Sequence, residues 1–401
     1  MNLKHINIDN ELFFQLRCKH EQISEYLINC ELDFTDSVGV MGGLAGISLL
    51  QSLYYQHIPD ERYLDKLHQS IELINDKIKT GQGMMPTYCG GIAGYGWLIN
   101  YLKENDLIEI DMEDYFAEID SYLYKHLLLM LETENFDPLH GAVGMGFYFI
   151  KRGNVEAIER IIDELYNNRI NIGNHYSWIM KDFANKKDVI NFGVAHGIPG
   201  ILLFLYKCYQ KNICIQKCRE MIKENISFFL KYINLSGTPS FFPYSIDFNE
   251  IMQYDRQYNR SRLAWCYGDL GILYVFSHLS KDFPIQMDIY CMLEHVARRR
   301  GEGETLVSDA AFCHGTSGIA HLYYRFFLQT GNSCFEETCN YWLKRTLSMG
   351  NNPEGTAGFL FPENKNILPL DLLTGISGIG SVLLSFMNPD LIHWDESLFL
   401  T

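Results

Sequence analysis

Two cysteines and two histidines stand at matched places in this chain. Cys266, in Trp265-Cys-Tyr-Gly268, and Cys313, in Phe312-Cys-His-Gly315, each lie two residues before a glycine. His314 and His196, the latter in Ala195-His-Gly197, each lie one residue before a glycine. Cys266, Cys313 and His314 make a zinc-binding set, because thiolate and imidazole suit zinc better than magnesium or calcium. Three protein ligands leave one tetrahedral position open, which is the arrangement of catalytic rather than structural zinc. No HExxH or CxxC occurs to offer a rival site.

Those glycines belong to a signature that recurs seven times: Gly43-Leu-Ala-Gly46, Gly91-Ile-Ala-Gly94, Gly141-Ala-Val-Gly144, Gly197-Ile-Pro-Gly200, Gly268-Asp-Leu-Gly271, Gly315-Thr-Ser-Gly318 and Gly375-Ile-Ser-Gly378. Successive copies lie 47 to 71 residues apart and run through the chain without a linker. A period of that size means a repeat architecture and one domain over 1–401, and it places equal offsets on one face. Each copy opens an apolar helical pattern: Ile47–Tyr55, Trp97–Leu102, Phe147–Lys151, Ile201–Tyr209, Ile272–His278, Ala320–Leu328 and Ser381–Met387. Amphipathic patterns lie between them, among them Glu61–Lys79, Met112–Leu131, Val155–Asn168 and Ile215–Ile233. Strand-like alternation is scarce. The pattern predicts an all-α protein, an α/α toroid of about seven inner and seven outer helices. Loops ahead of the inner helices then converge at one end of the ring. The glycines themselves need only a tight, positive-φ entry and close helix approach. With no strand before them, they are not dinucleotide fingerprints.

Other candidates have bland readings. Cys89 also lies two before a glycine, but in the second copy, and is expected as filler. His140 shares the offset of His196 and would line the cavity. Cys214 and Cys218 are four apart on an amphipathic pattern, a half-buried structural face. Gly237–Tyr258 is expected as a loop near the cavity mouth. Asp269 and Leu270 depart from the other copies within the fifth signature.

Composition narrows the classes. The chain has 401 residues, 47% apolar and 20% charged, enough for a large core and unlike a disordered chain. A formal charge of -16 disfavours non-specific nucleic-acid binding. The run Arg298-Arg299-Arg300 is expected as a solvated helix end. The N-terminus carries no signal-peptide core and no stretch is long and apolar enough to span a membrane. Eleven cysteines in a chain too large to need staples then read as reduced thiols in the cytoplasm.

The motifs Ala195-His-Gly-Ile-Pro-Gly200, Ser261-Arg-Leu-Ala-Trp-Cys-Tyr-Gly268 and Ala311-Phe-Cys-His-Gly-Thr-Ser-Gly318 resemble the lanthionine synthetase C family, the lantibiotic cyclases. The seven glycine copies extend the resemblance over the whole chain. The resemblance implies zinc ligands Cys266, Cys313 and His314, a cavity histidine His196, and Arg262 four before the first zinc cysteine. It also implies a role for Asp137, four before the glycine of the third copy, where an ordinary helix cap is the alternative.

The implied activity is addition of a cysteine thiolate to dehydroalanine or dehydrobutyrine in the same peptide, giving lanthionine or methyllanthionine rings. His196 would protonate the enolate, Asp137 would orient or charge-stabilise that imidazole, and Arg262 would steady the enolate oxygen or organise the cavity. The length leaves no room for a fused dehydratase. A stand-alone cyclase is therefore expected, acting on a dehydrated precursor peptide. A separate dehydratase and an ABC-type exporter are implied as partners, with peripheral association at the inner membrane face.

Four other readings compete with it. A thiol- or glutathione-adduct enzyme, or a non-catalytic peptide-binding scaffold, of the same family would keep the zinc set. A glycosidase would need paired carboxylates where this chain has Cys and His. A prenyltransferase shares the thiol chemistry but not the Cys-His-Gly spacing.

Overall fold

The computed structural model describes residues 6–182, 186–234, 240–254, 261–361 and 369–400. The chain divides into two compact units, Met1–Ile119 with Val307–Thr401, and Asp120–Leu306.

Every glycine signature starts a helix, and in each case the first glycine is its N-cap. The helices are Leu44–His57, Ile92–Glu104, Ala142–Arg152, Ile198–Gln210, Asp269–Leu279, Thr316–Thr330 and Ile376–Met387. They begin three to five residues earlier than the apolar runs suggest, because the second glycine lies inside the first turn rather than before it. Their apolar-all-round sequences are matched by burial: every residue from Leu44 to Tyr54 is buried.

Amphipathic helices pack against them. In the first unit, Leu44–His57 packs on Glu61–Lys79, and Thr316–Thr330 on Ser333–Met349. In the second unit, Ala142–Arg152 packs on Val155–Asn167, Ile198–Gln210 on Ile215–Lys231, and Asp269–Leu279 on Ile289–Val296. Caps written in the sequence start these helices, since Asp60, Asn154 and Asn332 accept from backbone N–H groups of the first turn. The helix Met112–Glu132 contributes residues to both units. The helix Asn10–Asn29, capped by Asp9, packs on Ile376–Met387 and gives the seventh glycine helix its amphipathic partner.

The entry geometry corrects the sequence reading of the glycines. Only Gly268 has a positive φ, at +96°, among the seven leading glycines; Gly91, for example, is extended at -128°. Glycine is required there by close backbone approach. A Cβ on Gly91 would sit 2.0 Å from the carbonyl oxygen of Met85, six residues earlier. The carbonyl six before the glycine accepts the N–H just after it: Leu44 to Ser37, Ile92 to Met85, Ala142 to Asn135, Thr316 to Asp309 and Ile376 to Pro369, at 2.8 to 3.0 Å.

Strands are few and short. Ile170–Ile172 pairs with His175–Ser177, and Met180–Lys181, Asp188–Asn191 and Ser245–Asp247 form a three-stranded antiparallel sheet. Of the segment expected as a loop over 237–258, the described part holds the strand Ser245–Asp247 and the 3-10 helix Phe248–Gln253. Residues 237–239 and 255–258 lie outside the described residues.

Candidate metal centre and histidine site

In the second unit the strand Asp188–Asn191 runs directly into the loop that carries His196, and Phe192 N–H donates to the Tyr244 carbonyl at 2.9 Å. His196 Nδ1 lies 2.9 Å from Asp137 Oδ2. Asp137 is 4% exposed, and its Oδ1 accepts from the N–H groups of Leu139 and His140 at 2.8 and 2.7 Å. One carboxylate thus holds its own turn through one oxygen and meets the His196 imidazole through the other. The cap is of the turn before the helix, since Gly141 is the helix N-cap. His140 stacks on His196 with centroids 5.5 Å apart and planes 17° apart. Burial lowers the pKa of His140, opposed by the charge of Asp137.

Cys266 is buried in the neighbouring loop, and its carbonyl accepts from Ala195 N–H at 3.3 Å. Tyr267 turns its ring onto Gly193, where a Cβ would lie 2.6 Å from that ring, and Asn191 Nδ2 donates to Tyr267 Oη at 3.3 Å. Arg262 is partly exposed, and its carbonyl closes against Gly268 as the corresponding carbonyls do in other copies.

A buried ion pair holds this loop. Arg299 Nη1 lies 3.1 Å from Asp269 Oδ2, and Arg299 also donates to the carbonyls of Ser261 and Glu304. Asp269 accepts from the N–H groups of Phe241 and Phe242 at 3.1 and 2.9 Å. Burial pushes the Asp269 carboxyl up to about 6, against the pull of Arg299 and the two N–H groups. The expectation that Arg298-Arg299-Arg300 is a solvated end is therefore wrong for Arg299, which is 7% exposed and joins three segments of chain. Asp269, which departs from the other copies at its position, is the anion that Arg299 meets.

In the first unit Cys313 is buried and His314 half-buried, at the entrance of the helix Thr316–Thr330. Cys313 N–H donates to the Leu373 carbonyl, Leu373 N–H to that of Met41, and Met41 N–H to that of Cys89, at 2.9 to 3.1 Å. All four residues lie two before a leading glycine, so the Cys313 position is one slot in a recurring backbone relay. His314 Nε2 lies 3.4 Å from Asp309 Oδ2. Asp309 is 5% exposed, and its Oδ1 accepts Ala311 N–H at 2.9 Å. Sequence reasoning missed Asp309. The signal is its place six before Gly315, the position whose carbonyl closes the loop in other copies.

The decoys have structural roles. Cys89 sits in the relay with its carbonyl taken by Met41 and Gly42. Cys218 is buried and donates to the Ile213 carbonyl, with burial pushing its thiol up to about 12. No helix among the described residues is long and apolar enough to cross a membrane.

Comparison with known proteins gives one consistent result. A family model described as lanthionine synthetase C-like protein matches residues 36–399. The chain is 22% identical over 383 residues to nisin biosynthesis protein NisC of Lactococcus lactis subsp. lactis, covering 89% of this chain and 88% of that protein. Its structure is similar to that of nisin cyclase, with a TM-score of 0.74 at 18% identity over 98% of each chain. That likeness carries the fold, an all-α α/α toroid, as the repeat pattern implies. By its sequence motifs, its fold and the extent of the match, the chain belongs to the lanthionine synthetase C-like family.

Proposed function

We propose that this chain is a zinc-dependent cyclase that forms lanthionine or methyllanthionine rings in a dehydrated precursor peptide. The observation that carries the reading is the His196–Asp137 pair, an oriented imidazole beside the loop of a buried thiol, in a chain of this family.

Cys266, Cys313 and His314 would hold zinc. Each offers one ligand atom, and they are the set among the described residues that could hold a metal ion. The donor chemistry fits: two sulfurs and one imidazole with a carboxylate on its other nitrogen are a catalytic zinc set with its outer partner. Zinc, when bound, supplies the Lewis acidity that makes a substrate thiol available as thiolate at neutral pH.

The chain's own residues then handle charge and protons. Attack of the thiolate on the β-carbon of a dehydro residue forms the C–S bond and leaves an enolate, which takes a proton at the α-carbon. His196 would give that proton from Nε2, since Nδ1 faces Asp137. Asp137 would fix the tautomer and stabilise the imidazolium, and Arg262 would steady the enolate oxygen. The overall step is an isomerisation, with no atom gained or lost. A separate dehydratase would supply the substrate and an exporter would take the product.

The test is zinc content together with turnover. Purified chain should carry about one zinc, lost in Cys266→Ala. Incubation with a dehydrated peptide should leave its mass unchanged while its alkylatable thiols disappear. Thiols that persist in the presence of zinc-loaded protein would overturn the cyclase reading.

A further inference from the structure

Two buried loop aspartates in this protein each tie one oxygen to a backbone N–H and turn the other toward an imidazole, from different positions in the repeat. Asp137 gives one oxygen to the backbone of its turn and the other to His196 Nδ1. Asp309 gives Oδ1 to Ala311 N–H and presents Oδ2 at 3.4 Å from His314 Nε2. A third, Asp371, stands four before its leading glycine like Asp137 and caps that turn through Leu373 and Thr374 N–H, at 2.9 and 2.6 Å, but the residue before its glycine is a threonine. Asp309 stands six before its glycine, where Asn135 and Asn191 likewise accept the N–H two residues on, so the turn contact is a property of the position and a carboxylate in place of the amide is what Asp309 adds.

We propose that Asp309 is the positioning residue of the metal centre: by holding the Nε2 side of His314, it makes Nδ1 the nitrogen that ligates zinc. This rests on the zinc reading above. The physical ground is that an imidazole with a carboxylate on one nitrogen has its tautomer and ring plane fixed, and its other nitrogen is the more basic donor. Asp309 is well placed to do so. Its backbone carbonyl closes the loop onto Thr316 N–H at 3.0 Å, its Oδ1 is committed to Ala311, and its side chain is 4% exposed. The residue is anchored at two points, by its backbone carbonyl and by Oδ1, so the direction in which Oδ2 meets His314 is set by the fold. A histidine on a flexible loop would have either nitrogen to offer, whereas this one has a single choice.

The test uses full-length protein and zinc alone, with Asp309→Asn, which keeps an oxygen for Ala311 N–H, beside Asp371→Asn as a control for loss of a loop carboxylate. Zinc affinity is measured by competition with a chromophoric chelator, and the ligating nitrogen is read by NMR of 15N-histidine-labelled protein. Asp309→Asn is expected to weaken zinc roughly 10- to 100-fold, with an apo melting temperature close to that of wild type. Asp371→Asn is expected to leave affinity within about twofold, and the wild-type signal is expected to report Nδ1 ligation. Equal affinity in Asp309→Asn, an equal loss in Asp371→Asn, or Nε2 ligation would each overturn the proposal. Wild-type protein that binds no zinc would instead overturn the metal reading itself, and this proposal with it.

Discussion

Asp137 and His196 are joined through one carboxylate oxygen and one ring nitrogen 2.9 Å apart, while the second oxygen of Asp137 holds its own turn. The imidazole is therefore oriented by an anchored anion, and a substitution can separate the two duties. An asparagine at 137 retains an acceptor for Leu139 and His140 but loses the anionic oxygen that faces His196 Nδ1. Asp137→Asn is expected to keep the fold and the zinc and to slow ring formation on the order of 10²-fold, the scale of general acid–base catalysis. Cyclisation at the wild-type rate, followed by thiol alkylation, would remove Asp137 from the mechanism.

His196→Ala separates metal binding from proton transfer. In the proposed mechanism its imidazole serves the proton step and not the donor set, so zinc content should match wild type while ring formation falls or loses its control. Cys313→Ala should lose both. Retained zinc with full cyclisation in both variants would sink the assignment of these residues.

Arg299 and Asp269 form an ion pair whose side chains are 8% and 0% exposed. Removing one partner strands the other charge, which typically costs about 3–5 kcal/mol, whereas replacing both by apolar groups costs far less. Urea unfolding should show Arg299→Met and Asp269→Leu strongly destabilised and the double variant closer to wild type. Additive losses would mean that the two residues act independently.

His20 is buried against Tyr54, 4.6 Å between ring centroids, and burial lowers its pKa from 6.5 to about 4. The folded state keeps His20 neutral down to about pH 4, whereas an unfolded histidine takes its proton near 6.5. Its contribution is complete above pH 6.5 and is lost as the pH falls toward 4, a difference of about 3 kcal/mol. His20→Phe should flatten that part of the stability curve; an unchanged slope between pH 6.5 and 4 would refute the assignment.

Gly91→Ala should be poorly tolerated, because a Cβ there meets the Met85 carbonyl at 2.0 Å and the backbone has to shift. Gly303→Ala is the control, with nothing within 4 Å of its Cβ. Comparable melting temperatures for the two variants would contradict the close-approach account of the leading glycines.

The repeat was legible because each glycine marks a backbone collision that no side chain can evade, so the seven apolar helices could be counted from residues alone. Cys266, Cys313, His314 and His196 were legible for the same reason, since equal offsets from a fixed collision are equal places. Asp309 was not. A carboxylate six before a glycine looks like any turn residue until the loop folds back and brings it to His314. Arg299 was hidden by its neighbours, because three consecutive arginines suggest solvent, whereas Arg299 turns inward to Asp269. The helix Asn10–Asn29 lies before the first glycine copy, so the repeat gave no reason to pair it with Ile376–Met387. The short strands were invisible because two to four residues show no period.

The backbone relay through Cys313, Leu373, Met41 and Cys89 is made entirely by main-chain groups. None of its bonds depends on which side chain each slot carries. A cysteine, a leucine and a methionine occupy equivalent sockets, and the scaffold is indifferent among them. Reactive groups can therefore be gained, lost or moved from one repeat to another by single substitutions, without rebuilding the loops that present them. In evolutionary terms the chemistry of such a protein is detachable from its architecture, and the sockets now filled by Leu373 and Met41 are the places where new thiols could be installed.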